Sequence, residues 1–99
     1  VAGFEKVVDR WPRFETGWRF LGELRFAGLD YAGCEDVYWR AEQSLPGVTD
    51  LRLERIRCTI LRYGVTSEEA RGALQELRSL AEQEPDNARV KEFLLALDL

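Results

Sequence analysis

Residues 12–46 read PRFETGWRFLGELRFAGLDYAGCEDVYWRAEQSLP, and the punctuation of this stretch decides the fold. A proline opens it and another closes it 34 residues later, and the positions before each proline echo one another: Phe4, Val7 and Pro12 recur as Tyr38, Ala41 and Pro46. An aromatic, a smaller apolar residue three positions on and a proline five beyond suit a helix that packs with one face and then stops hard. Recurrence at this fixed period announces a helical repeat array.

Within the repeat, Trp18, Leu21 and Gly22 fall on a first helix. Tyr31, Cys34, Tyr38, Ala41 and Leu45 follow at spacings of three and four, one apolar stripe down a second helix. Glycine inside a helix costs about 1 kcal/mol against alanine, so Gly22 marks a place where a neighbouring helix comes too close for a side chain. These residues resemble the tetratricopeptide repeat: Trp, Leu and Gly at spacings of three and one, then Tyr, a small residue, an aromatic, Ala and Pro at fixed offsets. Arg25 stands where that family has a tyrosine, and Cys34 where alanine is commoner. The resemblance implies an all-α fold, antiparallel helix-turn-helix repeats stacked as a short right-handed superhelix, whose first helices line a concave groove that holds partner peptides.

Outward from this stretch the sequence predicts six helices. The first runs from about Ala2 to Arg10 and stops at Trp11-Pro12; the second spans about Glu15 to Ala27, with Gly28 as a left-handed terminus. Asp30 begins the third, closed by Pro46-Gly47. The fourth starts after Thr49 or Asp50, either able to cap it, and ends at Gly64. Thr66 and Glu69 have capping-box spacing for the fifth, and Pro85-Asp86-Asn87 introduces the sixth, whose pattern leaves Leu95 and Leu99 over. The organisation is then one domain over 1–99: residues 1–12 as the second helix of a preceding repeat, 15–48 as a complete repeat, 49–87 as a longer, degenerate one and 88–99 as a terminal helix. Pro46 to Pro85 exceeds the period by five, which assigns about two extra residues before or within the fourth helix and about three to the fifth. Two registers for helix four remain open, a shift of 36 from helix two or a shift of 35 that matches Trp18 to Leu53 and Leu21 to Ile56. A missing methionine and an opening inside a repeat give the expectation of a fragment of a longer chain.

Ninety-nine residues make one domain able to bury roughly 60–65% of its unfolded surface. No apolar run approaches the roughly 18 residues of a membrane helix. The net charge is −4, while residues 1–65 balance ten basic against ten acidic side chains, which does not support a nucleic-acid footprint. No histidine occurs, two cysteines cannot build a structural zinc site, and no phosphate loop or nucleophile elbow is present. The expectation is a non-enzymatic, cytoplasmic protein without catalytic residues, cofactor or metal. Cys34 and Cys58 are expected as reduced, buried thiols, and Trp11 and Trp39 as fillers between helix pairs.

One pattern invites a functional reading. Arg52, Arg55, Thr59 and Arg62 share a face of helix four, and at a shift of 36 the matching face of helix two carries Thr16, Arg19, Glu23 and Phe26. With the groove the resemblance implies, Arg19, Glu23, Phe26, Arg52, Arg55, Thr59 and Arg62 become candidate peptide-binding residues, suited to an acidic segment with an apolar anchor near Phe26. The alternative is that these arginines are solvated or paired with neighbouring carboxylates. The leading function is a protein-protein interaction scaffold for a peptide or neighbouring domain. The others are a half-a-tetratricopeptide module of an RNA-processing assembly, suggested by Val37-Tyr38-Trp39-Arg40-Ala41, and a structural or self-association arm of a larger enzyme.

Overall fold

In a computed structural model describing residues 2–97, the side chains of Ala2 and Phe4 excepted, six helices follow one another: α1 (Ala2–Arg10), α2 (Glu15–Ala27), α3 (Tyr31–Ser44), α4 (Thr49–Tyr63), α5 (Glu68–Gln83) and α6 (Ala88–Leu97). No strand occurs among the described residues, and the chain is all-α. Leu99 lies outside them, as does the side chain of Phe4 in the 34-residue echo.

Local chemistry sets the helix ends, in three places differently from expectation. The Asp30 carboxylate accepts from the Gly33 amide at 2.9 Å and caps α3. At the end of α2 the left-handed residue is Leu29, with φ of 61°, and not Gly28, whose φ is −83°. The Leu29 and Asp30 amides donate back to the Phe26 and Arg25 carbonyls, each at 2.9 Å, the two bonds of a Schellman closure, and these hold a leucine where glycine is usual. Ser67, and not Thr66, caps α5: its hydroxyl accepts from the Ala70 amide and donates to the Gly64 carbonyl, so one side chain ties the turn to the helix. Neither Thr49 nor Asp50 caps α4. Both lie in its first turn, where Thr49 donates to Glu84 and Asp50 pairs with Arg19 and Arg89, and the N-cap Val48 has no side-chain bond to give.

The helices enclose two cores. Val8, Trp18, Leu21, Cys34, Val37, Tyr38, Ala41, Leu51 and Cys58 form the first; Leu53, Ile56, Ile60, Ala70, Ala73, Leu77, Leu80 and Val90 form the second. Helix α4 contributes to both. Its Leu53 and Ile56 are buried in the second core as Trp18 and Leu21 are in the first, so the 35-residue shift is the one the packing follows. The long second repeat is also resolved: α4 and α5 are each two residues longer than α2 and α3, and the α4–α5 loop is one longer than the α2–α3 loop. The fifth helix thus takes two of the surplus residues and not three.

Two expectations about side chains change. Trp11 and Trp39 fill no gap between helix pairs, being 54% and 53% exposed. Cys34 and Cys58 are not free: they form a disulfide that joins α3 to α4 across a Cα separation of 5.9 Å, both cysteines having no exposed surface. Sequence could place each on an apolar stripe but not show that the stripes face each other. Thiol titration of denatured, unreduced protein should find no reactive sulfur, and two equivalents after reduction; two equivalents before reduction would restore the free-thiol reading. Because disulfides persist in oxidising compartments, the same count bears on the cytoplasmic expectation.

Gly22 is the closest crossing in the fold. A Cβ there would sit 2.7 Å from the Tyr38 hydroxyl oxygen and nearer still to two carbons of the ring. Tyr38 is 1% exposed and has nowhere to move. Nothing lies within 4 Å of a Cβ at Gly72, in the second turn of α5. Gly22→Ala should therefore destabilise the chain by about 1–3 kcal/mol through overpacking. Gly72→Ala should stabilise it by about 0.5–1 kcal/mol through helix propensity alone. Urea unfolding of the two variants reads both signs.

Candidate functional site

Because α4 is walled by α3 on one side and by α5 on another, its polar residues emerge along two seams. Along the first, Arg55 is bonded to Glu42 of α3 and Glu76 of α5, and Arg52 donates to the same Glu76 at 2.6 Å. Arg62 pairs with Glu35 of α3 at 2.7 Å, and the Thr59 hydroxyl donates to that carboxylate as well. Burial acts to lower the Arg55 pKa, but the bonds to Glu42 and Glu76 outweigh it and hold the guanidinium above its ordinary value. For Glu76 burial pushes upward, and the bonds from Arg52 and Arg55 prevail, leaving the carboxyl below 4.5. Glu84 is also held low, by bonds from Thr49 and then Asn87.

Along the second seam, α2, α4 and α6 are laced together. Arg19 reaches Asp50 at 3.6 Å and Glu15 at 3.4 Å; Arg89 of α6 reaches Asp50 at 3.4 Å and Glu54 at 3.1 Å. Arg57 is bonded to Glu54 and reaches Glu23 at 3.1 Å, while its guanidinium lies 4.1 Å from the centre of the Phe26 ring. The Glu54 side chain is 6% exposed, a buried charge tolerable only because two arginines flank it. The Tyr38 hydroxyl, 3.4 Å from both the Arg19 carbonyl and Glu23, closes this network from α3. Its pKa is raised far above the ordinary 10.0, first by burial and then by the Glu54 and Glu23 charges.

Of the seven residues read from sequence, Arg19, Glu23 and Phe26 lie on the second seam. Arg52, Arg55, Thr59 and Arg62 lie on the first, turned toward α3 and α5, and the structure does not bring the seven together. The cause is register: a shift of 36 instead of 35 aligns the wrong face of α4 with α2. Each of the four arginines has carboxylates of this chain as partners, so no positive groove arises from them. The residues missed are Glu54, Arg57, Arg89 and Phe93. The Glu54–Arg57 spacing of three was the one available signal, since helix neighbours at that distance share a face.

Beside the second seam, a groove of about 510 Å³ runs between α4 and α6. Ile60, Leu61, Val65, Phe93, Ala96 and Leu97 give it apolar walls, and Glu54, Arg57, Arg89 and Glu92 complete the lining. Leu61 and Val65 are 43% and 68% exposed there. The arrangement offers apolar contact with a charged rim. Among the described residues no cluster of His, Cys, Asp and Glu could hold a metal ion, and no helix is long and apolar enough to cross a membrane. No family model, curated protein or solved structure matches the chain.

Stability supplied by Glu76 is fully present above its unfolded value of 4.5 and is lost as pH falls through the lower folded value. Glu76→Gln should therefore destabilise the chain at neutral pH, with the gap from wild type closing in acid as pH falls through that lowered value. Urea midpoints at the two conditions check this.

Proposed function

We propose that the chain is a non-catalytic, tetratricopeptide-type scaffold that docks a protein or peptide segment in the α4–α6 groove. The observation that carries this reading is the groove itself, apolar along its walls and fixed in shape by a buried carboxylate held between Arg57 and Arg89. Sequential packing of each helix on the next, with α6 also touching α4, supports stacked hairpins in which α2, α4 and α6 form the inner row. The pairing of Arg52, Arg55 and Arg62 within the chain removes the reason to favour an acidic ligand. An apolar anchor is the better fit, with polar positions that satisfy the mixed-sign rim.

Selection of peptides from a displayed random library, followed by amide-shift mapping of the winners, tests the proposal. Bound peptides should perturb Leu61, Val65, Phe93 and Ala96, and Leu61→Arg should weaken them at least about tenfold with helicity unchanged. Selected peptides that ignore Leu61→Arg, or no selected peptide at all, would remove the groove from consideration.

A further inference from the structure

Charge along the second seam and the groove beside it bears on the class of ligand the groove takes. The guanidiniums there are already held from within the chain, each by two carboxylates: Arg19 by Glu15 and Asp50, Arg57 by Glu23 and Glu54, Arg89 by Asp50 and Glu54. Glu92 of α6 completes the groove's rim, exposed and in no ion pair among the described residues. Carboxylates of the seam and rim, Glu15, Glu23, Asp50, Glu54 and Glu92, therefore outnumber the three guanidiniums by two. The surplus sits where a ligand can reach it. Glu92 faces water, and so does Glu23, whose side chain is 56% exposed.

The surplus also has a fixed place relative to the apolar walls. Arg89 lies against Asp50 and Glu54, so α6 enters beside the first half of α4. Seven residues on from Glu54 and from Arg89, about two helical turns, lie Leu61 and Ala96. One end of the groove is thus ionic and the other apolar, with Glu92 one turn before Ala96, at the border. We infer that the segment docked in this groove is basic and amphipathic: apolar side chains against Leu61, Val65 and Phe93, and a lysine or arginine about 5 Å along at Glu92. This rests on the docking reading above and adds the sign of the ligand. A long basic side chain suits the border position, because its apolar stem lies on Phe93 and Ala96 while its charged head reaches the carboxylate. An acidic segment would meet Glu92 and Glu23 with like charge, and every guanidinium of the seam already has two partners. The net charge of −4 attracts the basic segment at longer range as well.

The displayed random library tests this when read by composition. Peptides enriched on the wild-type chain should carry more lysine and arginine, and less aspartate and glutamate, than the unselected library. A synthetic copy of the strongest should bind less tightly as salt rises. Glu92→Gln should weaken that peptide about two- to fivefold. Glu82→Gln, which removes an exposed carboxylate of α5 outside the groove, should leave it unchanged. Replacing the peptide's basic residues by glutamine should abolish the difference between wild type and Glu92→Gln, since a coupling between two groups vanishes when either is gone. Groove-bound peptides without a basic excess would overturn the inference and leave docking standing. A basic peptide indifferent to Glu92→Gln, or as sensitive to Glu82→Gln, is bound by the acidic surface at large and would overturn it too. If no peptide is selected, the docking reading falls and the inference with it.

Discussion

A helix buried on two sides has few positions left for charge, and α4 is that helix. Leu51 and Cys58 go to the core shared with α2 and α3, Leu53, Ile56 and Ile60 to the core shared with α5 and α6, and each of these five has at most 4% of its surface exposed. What remains of α4 emerges at the seams between neighbours, where its arginines and carboxylates meet partners from α2, α3, α5 and α6. The first seam holds the two cores in one arrangement, and the second sets the wall of the α4–α6 groove. Exposed ion pairs contribute little singly, but Arg55 is 18% exposed and shared between two helices, and removing either partner would leave a half-buried charge short of a bond.

The crossing of α2 and α3 shows the same economy. Gly22 admits Tyr38, the Tyr38 hydroxyl reaches Arg19 and Glu23, and Glu23 reaches Arg57 on α4. A missing side chain on one helix thus connects to the electrostatics of another two helices away. The Trp18 indole, donating to the Pro12 carbonyl at 2.6 Å, adds a second anchor at the loop where α1 turns into α2.

Much of this fold was legible in the sequence because its signals are local. Prolines, stripes spaced three and four apart and one mid-helix glycine locate six helices and the α2–α3 crossing without reference to anything distant. The site was not legible to the same degree. Which face of α4 meets α2 depends on a one-residue register, and a single residue turns an α-helix by about 100°, enough to move Arg55 from one seam to the other. The disulfide was hidden for a related reason: Cys34 and Cys58 each read as an apolar position, and only the mutual orientation of α3 and α4 joins them. Glu54, Arg57 and Arg89 read as solvated helix charges until α6 is seen lying against α4.

The two seams and the wall of the α4–α6 groove follow from α4 being the shared wall of two cores. Site-resolved hydrogen exchange under native conditions tests that claim most directly, because amides released only by global unfolding mark the element on which the rest depends. The amides of Ile56, Cys58 and Ile60 should be the slowest in the chain, with α1 and α6 exchanging earlier through partial opening. Exchange in α4 as fast as in α1 or α6, or two groups of amides opening independently on its two sides, would contradict the account.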